Sequence, residues 1–284
     1  MEKTIERKAA LPQEIAMIAL DMDGTLLNSH HVTTAYTRAA LERAAKAGKI
    51  IAIATGRCLS ELAEHVALMP EVRYLICESG ACIHDRAEGR DVRHAQIPRG
   101  EAMHILELAR GYDLLAQMFI ENQSYIRAEP GASIAAYHAE TFRCVFETGS
   151  IWRADLFEWF AAGRAEVSKF NLYFTCAEDR DRMRAELAGS GLALADTTGL
   201  ALEISSAEST KGQALRRLCA ALDVSPERVM AIGDSENDVD MMDAVGLAVA
   251  MGNAVPRARE AADVVTGDCD HDGAARAIER FLGV

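Results

Sequence analysis

Asp21 and Asp23 are the first residues whose types and spacing could do chemistry. They directly follow the apolar segment 15–20, and Gly24 permits a tight turn immediately after them. If that segment is a strand of a parallel sheet, both carboxylates lie beyond its carboxyl end, where such sheets bind ligands. An acidic pair in a loop is more often simply solvated, so this pair alone does not identify an active site.

A second acidic group follows the apolar segment 229–232. Asp234 and Asp238 stand four residues apart, with Asn237 between them. Oxygen ligands of this kind suit Mg²⁺, a hard cation that prefers octahedral coordination and keeps some of its waters. The alternative is that Asp234 or Ser235 is only a helix N-cap.

Two further positions could bind a phosphoryl group. Thr55 and Gly56 directly follow the apolar segment 50–54, where the threonine hydroxyl could donate to a phosphoryl oxygen. Lys211 opens a predicted helix although helix starts favour acidic residues, and an anion-binding role would explain this misfit. In isolation, a helix-entry turn and an exposed lysine are the better interpretations.

The elements that position these residues alternate between buried strands and helices. Continuous apolar runs predict strands buried on both faces at 15–20, 50–54 and 74–77, with helices between them at about 34–47 and 60–68. The same alternation returns between residues 211 and 281. This order predicts an α/β fold with a doubly wound, mostly parallel sheet, and it puts all four groups at strand ends or helix starts.

The alternation of continuous apolar strands with helices is interrupted between about residues 86 and 198. Both tryptophans lie there, and segment 170–174 alternates apolar and polar residues as a half-exposed strand does. We therefore predict a core domain of residues 1–85 and 199–284, with an α+β cap domain, residues 86–198, inserted into it.

Composition narrows the class of protein. Half of the 284 residues are hydrophobic, which excludes wholesale disorder, and a net charge of −13 disfavours nucleic-acid binding. No run approaches the roughly 18 apolar residues of a membrane helix, and the first 13 residues lack the apolar core of a signal peptide. Seven scattered cysteines without a C-x-x-C pair predict free thiols and a cytoplasmic protein.

Taken together, the motifs resemble those of the haloacid dehalogenase-like superfamily, and within it the Cof-type phosphatases with a C2-type cap. The segments that match its four motifs are 20–27, 55–57, 211–212 and 233–238, and the stretches 250–254 and 262–266 resemble the Cof-type group. Two departures stand out. Ser79 occupies a position where the group often has asparagine, and Arg257 and Arg259 replace its usual lysines.

The resemblance implies a mechanism through an aspartyl-phosphate. Asp21 would be the nucleophile, and Asp23 would protonate the leaving group and then activate water. Thr55 with Gly56, Lys211 and Asn253 would bind the phosphate.

The resemblance also implies a Mg²⁺ site. The ligands would be the Asp21 side chain, the Asp23 backbone carbonyl and the Asp234 side chain. Asn237 and Asp238 would support them from outside this ligand set or through water.

The implied substrate is a small phosphorylated metabolite, with a sugar phosphate as the expected kind. The resemblance implies no nucleic-acid or membrane partner and a monomeric or homodimeric chain. Polar candidates for substrate contacts in the cap are Arg127, His138, Arg143 and Lys169. A phosphotransferase or mutase with the same intermediate is the main alternative. A non-catalytic module that binds phosphorylated ligands is a weaker one.

Overall fold

The computed structural model describes residues 14–93, 95–129, 131–196 and 200–283. Within them the chain forms two compact units. The first, the core unit, draws on the ranges Met1–Gly56, Glu64–Val92 and Thr210–Val284, and the second, the inserted unit, on Arg57–Ala63 and Arg93–Ser209. Among the described residues, no helix combines the length and apolarity needed to cross a membrane.

An eight-stranded sheet forms the centre of the core unit, in the order β14-β13-β12-β1-β2-β3-β4-β5. Its parallel strands are β1 (Met17–Leu20), β2 (Ile50–Ala54), β3 (Tyr74–Cys77), β12 (Val229–Gly233), β13 (Leu247–Ala250) and β14 (Val264–Val265). β4 (Cys82–Asp85) pairs antiparallel with β3, and β5 (Arg90–Arg93) lies at the edge. β1, β3, β12 and β13 are buried along their whole length, as continuous apolar runs require. The predicted α/β class with a mostly parallel sheet is confirmed.

The helices of the core unit include one with a capping residue at its start and a glycine after its end. They are α1 (Ala35–Lys46), α7 (Lys211–Leu222), α8 (Val239–Met242), α9 (Pro256–Ala261) and α10 (Gly273–Leu282), while α2 (Leu59–Ala67) has residues in both units. Thr34 caps α1 by accepting a bond from the Thr37 amide at 3.0 Å. Gly48 follows the end of α1 with a φ of 77°, the left-handed conformation that glycine adopts most readily.

A six-stranded sheet in the order β10-β11-β9-β6-β7-β8 forms the inserted unit. Its elements are α3 (Arg99–Ala109), β6 (Leu114–Ile120), β7 (Gln123–Ile126), α4 (Arg143–Gly149), β8 (Ser150–Trp152), α5 (Leu156–Ala162), β9 (Val167–Phe174), α6 (Ala177–Glu186), β10 (Leu192–Asp196) and β11 (Ala201–Ser206). Alternate residues of β6, β9 and β11 pack with residues of α3, α5 and α6 in one apolar core.

The opposite face of this sheet carries a buried polar cluster around Gln117. The Gln117 amide nitrogen donates to Glu61 at 2.7 Å and to Ser124 at 2.9 Å, and its oxygen accepts from Asn171 at 2.8 Å. Burial raises the pKa of Glu61, which therefore favours its protonated form more than an exposed glutamate does. Sequence reasoning missed this cluster, because Glu61 and Gln117 are far apart in the chain.

Both ends of the insertion lie later in the chain than the predicted limits of 86 and 198. β5 extends the core sheet, so the inserted unit resumes at Arg93. β11, which we assigned to the core domain, pairs with β9 and β10 and belongs to the inserted unit. Pairing decides the unit of β11. The half-exposed strand that we predicted at 170–174 is wrong, because seven of the eight residues of β9 and all residues of β6 are buried.

Candidate active site

The two acidic motifs leave the core sheet side by side. β1 and β12 are parallel neighbours with Leu20 opposite Ile232, and the Asp21 amide donates to the Ile232 carbonyl at 2.9 Å. The residues that follow the two strands therefore emerge at the same edge. This pairing brings Asp21 close to Asp234 although more than 200 residues separate them.

Lys211 joins these acids from the first turn of α7. Its side chain is 1% exposed, and its ammonium nitrogen lies 2.5 Å from Asp21 Oδ1 and 2.6 Å from Asp238 Oδ1. Burial disfavours the charged form, but the two carboxylates outweigh it and raise the pKa of Lys211 above its ordinary value. Lys211 is therefore a buried cation at neutral pH.

Three carboxylates crowd around this cation. Asp21, Asp234 and Asp238 each offer an oxygen, and these oxygens lie within 4.8 Å of one another. Burial and the charge of Asp238 raise the pKa of Asp21 well above its usual value, and the same two causes raise the pKa of Asp234 to about 6. The excess of negative charge and the oxygen-only donor set fit a hard divalent cation such as Mg²⁺.

Hydrogen bonds from the protein hold Asp238 within this cluster. It is fully buried, and its Oδ2 accepts from the amides of Asp234 and Ser235, both at 3.0 Å, while Oδ1 accepts from Lys211. Protein donors thus occupy both of its oxygens. Gly233 leaves room for it, because a Cβ there would lie 2.5 Å from the Asp238 carboxyl carbon.

Asn237 and Asp23 are exposed at the edge of the same cluster. The Asn237 side-chain oxygen accepts from the Ser235 hydroxyl at 2.8 Å, so it is turned towards its own loop. Asp23 follows Asp21 in the turn that Gly24 forms with a φ of 79°. A side chain on Gly24 would meet Asp234 Oδ2 at 2.6 Å, which explains the need for glycine there.

Asn253 connects the two acidic motifs. Its side-chain nitrogen donates to the Gly24 carbonyl at 2.9 Å and to Asp234 Oδ2 at 3.2 Å, and its oxygen accepts from the Cys269 amide at 2.9 Å. These bonds connect Asn253 to Asp234 and Gly24, and its predicted place near the phosphate stays a prediction.

Thr25 has a similar role, which we missed. Its hydroxyl donates to Asp234 Oδ1 at 3.2 Å. The signal was its place two residues after Asp23, in the turn that follows the first acidic pair.

Thr55 lies at the end of β2, beside β1, and is 1% exposed. Its amide donates to the Ile76 carbonyl at 2.8 Å, and its carbonyl accepts from the Ser79 amide at 3.0 Å. The backbone of the turn after β3 therefore fixes Thr55, and a serine at position 79 supplies the same amide as the usual asparagine. Gly56 follows and is half-buried, and the first segment of the inserted unit begins at the next residue, Arg57.

Arg259 holds the loop that carries Asn253. Its guanidinium donates to the Ala254 carbonyl at 2.9 Å and to the Gly252 carbonyl. Arg257 is exposed and lies 3.9 Å from Glu236. The arginine-for-lysine departure at position 259 thus has a structural use, since one guanidinium reaches two carbonyls.

The four residues of the inserted unit that we named as candidates for substrate contacts differ in burial and in their partners. Lys169 is 3% exposed and pairs with Glu203 at 2.8 Å. Arg127 stacks over the Phe157 ring at 4.5 Å, and Arg143 is an exposed partner of Glu140. His138 is exposed at the end of a short 3₁₀ turn, in the left-handed conformation.

The sequence profile of the haloacid dehalogenase-like hydrolases matches residues 18–278, which include every residue of the candidate site described above. The chain belongs to the haloacid dehalogenase-like hydrolase family. The predicted membership of this family and of its Cof-type group is confirmed.

Relatives of this haloacid dehalogenase-like hydrolase align over almost their whole length. Phosphatase YwpJ of Bacillus subtilis is 29% identical, over 94% of this chain and 99% of its own. The 5-amino-6-(5-phospho-D-ribitylamino)uracil phosphatase YwtE of the same organism is 27% identical, over 93% and 97%. A haloacid dehalogenase-like hydrolase from Bacteroides thetaiotaomicron has the same fold, with a TM-score of 0.83, 23% identity and coverage of 94% and 99%. The family match and these phosphatase relatives together indicate a hydrolase that acts on phosphate esters.

Proposed function

We propose that this hydrolase is a Mg²⁺-dependent phosphatase of small phosphorylated metabolites, with sugar phosphates as its main substrates. The observation that carries the proposal is the contact of Lys211 with Asp21 within a cluster of three carboxylates. A non-catalytic binding module has no need for a carboxylate nucleophile beside a buried ammonium.

In the first half of the reaction, a carboxylate oxygen of Asp21 attacks phosphorus. A P–O bond to Asp21 forms, the P–O bond to the alcohol breaks, and Asp23 donates a proton to the leaving oxygen. In the second half, Asp23 takes a proton from water, which attacks the same phosphorus. The bond to Asp21 then breaks, and inorganic phosphate leaves.

Charge is the main obstacle to the first step, because an anionic carboxylate must approach an anionic phosphate. Two such unit charges 4 Å apart repel by about 4 kcal/mol at an effective dielectric constant of 20. The Lys211 ammonium contacts the Asp21 carboxylate and offsets part of this repulsion. A Mg²⁺ ion held by Asp21, Asp234 and the Asp23 carbonyl would supply further positive charge there.

The proposed substrate class rests on the relatives. YwtE, by its name, acts on a phosphate carried by a ribityl chain, which is a sugar-derived polyol. We extend this to sugar phosphates for the present chain. Its free cysteines also support our proposal that it works in the cytoplasm.

The test is phosphate release from a panel of phosphorylated sugars, polyols and other small metabolites, with Mg²⁺ and with EDTA. We expect turnover with Mg²⁺, loss of turnover in EDTA, and recovery when Mg²⁺ is restored. Asp21→Asn should lower kcat at least a thousandfold, roughly the effect of removing a nucleophile in other hydrolases. Asp243→Asn, which removes an exposed carboxylate nearby, is the matched control and should keep the wild-type rate.

Three results would contradict the proposal. Wild-type rates for Asp21→Asn would exclude the covalent intermediate, and equal rates in EDTA would exclude the metal. Transfer of phosphate to a second sugar without phosphate release would favour the phosphotransferase alternative.

A further inference from the structure

Asp240 contacts the start of the helix that carries Lys211. It lies in α8, and its Oδ2 accepts a hydrogen bond from the Gly212 amide at 2.9 Å. Gly212 is the second residue of α7, where backbone amides have no partner within the helix. The carboxylate therefore satisfies an amide directly beside Lys211.

The two helices approach closely at this point. A Cβ on Gly212 would lie 2.3 Å from the Asp240 carbonyl oxygen, so only glycine fits there. Backbone contact and hydrogen bond together fix Gly212 relative to α8. α8 directly follows Asp238, one of the two carboxylates that hold the Lys211 ammonium.

The residue before Lys211 is fixed as well. The Thr210 backbone packs against Gly80 so closely that a Cβ on Gly80 would meet the Thr210 carbonyl oxygen at 2.2 Å. Thr210 also caps α7 by accepting from the Gln213 amide at 3.2 Å. The backbone on both sides of Lys211 is therefore held, and Asp240 provides the side-chain contact on its C-terminal side.

Asp240 also offsets the unfavourable placement of a lysine at the positively polarised start of α7. A lysine in the first turn of a helix opposes the partial positive charge of the helix start, whereas a carboxylate complements it. Asp240 places a negative charge on the same turn from a neighbouring helix.

We propose that Asp240 is a positioning residue for the reaction: through the Gly212 amide it sets where the Lys211 ammonium stands relative to the transferring phosphoryl group. The inference rests on the proposed function, because only there does Lys211 act on phosphate. Asp240 itself touches no reacting atom. A shift of about 1 Å in a catalytic group can cost a hundredfold in rate, so a distant contact of this kind can control turnover.

The test compares four variants with the wild type in steady-state phosphate release with Mg²⁺. Asp240→Ala removes the acceptor, Asp240→Glu moves it, and Asp240→Asn keeps an acceptor without the charge. Asp243→Ala removes an exposed carboxylate just after the same helix and is the matched control. Thermal unfolding of each variant separates loss of fold from loss of position.

We expect Asp240→Ala to lower kcat by about 10- to 100-fold with KM changed less than about threefold. Asp240→Asn should stay within about threefold of the wild type, because it keeps the bond to Gly212. Asp240→Glu should keep the wild-type unfolding temperature but have a lower kcat than the wild type. This variant therefore still tests the inference if Asp240→Ala does not fold.

Wild-type kcat in both Asp240→Glu and any folded Asp240→Ala would overturn the inference, as would an Asp240→Asn variant as slow as Asp240→Ala. Two other results would contradict the proposed function itself: no phosphate release by the wild type from any substrate, or a wild-type rate for Lys211→Ala. Either result would also remove the basis of the inference about Asp240.

Discussion

Replacing Lys211 by methionine should destabilise the metal-free protein strongly. The side chain is 1% exposed, and its ammonium contacts Asp21 at 2.5 Å and Asp238 at 2.6 Å, both of them buried. Methionine keeps the unbranched apolar part of the side chain but leaves two adjacent carboxylates without their cation. Breaking a buried ion pair from one side costs about 3–5 kcal/mol. In a protein of this size that lowers the unfolding temperature by roughly 6–20 °C.

The loss of stability in Lys211→Met should depend on pH in a defined direction. Burial and Asp238 already raise the pKa of Asp21, and loss of Lys211 removes the group that lowers it. Protonation of Asp21 relieves the repulsion, so the deficit of Lys211→Met should shrink as pH falls from 8 to 5 and grow as pH rises.

The assay is thermal unfolding in EDTA between pH 5 and pH 8. Lys46→Met is the control, because Lys46 is an exposed lysine paired with Glu42 on α1, and it should unfold like the wild type. An unfolding temperature for Lys211→Met within about 2 °C of the wild type at pH 7 would refute the reasoning. A deficit that is the same at every pH would refute the part that concerns Asp21.

Two further predictions concern single contacts. Asn253→Ala removes the bonds to Asp234 and Gly24, so the Mg²⁺ concentration for half-maximal activity should rise about 10- to 100-fold with little change in KM, as a Mg²⁺ titration would show; a changed KM at unchanged Mg²⁺ dependence would instead place Asn253 at the phosphate. Burial raises the pKa of Glu61, so the folded state binds more protons there and stability falls as pH rises from the ordinary pKa of 4.5 through the raised value. Glu61→Gln removes the titrating group, so its unfolding temperature should change less between pH 5 and pH 8 than that of the wild type, although glutamine keeps only one of the two oxygens that accept from Gln117 and Cys58; an unchanged pH dependence would contradict this.

The core sheet could be predicted because its strands carry their signal locally. β1, β2 and β3 are continuous apolar runs, and such runs indicate strands buried on both faces. The meeting of the acidic motifs could be anticipated as well, since residues that follow neighbouring parallel strands leave the sheet at one edge.

Contacts that depend on side-chain direction could not be predicted. The bonds of Asn253 and Thr25 to Asp234, and of Asp240 to Gly212, join residues whose types alone allow many partners. β11 could not be assigned because its unit is decided by pairing with β9, which no local pattern reports. The catalytic role of Asp23 stays a prediction.

The pairing of β1 with β12 also has a consequence for how the protein is made. Asp21 and Lys211 lie 190 residues apart in the chain, and β12 follows later still. On the ribosome, the segment with Asp21 emerges long before the strand that pairs beside it, and such distant pairings form slowly. A nascent or truncated chain that ends before β12 lacks Asp234 and Asp238, so under the proposed mechanism the protein becomes active only after β12 and the loop that follows it have been synthesised.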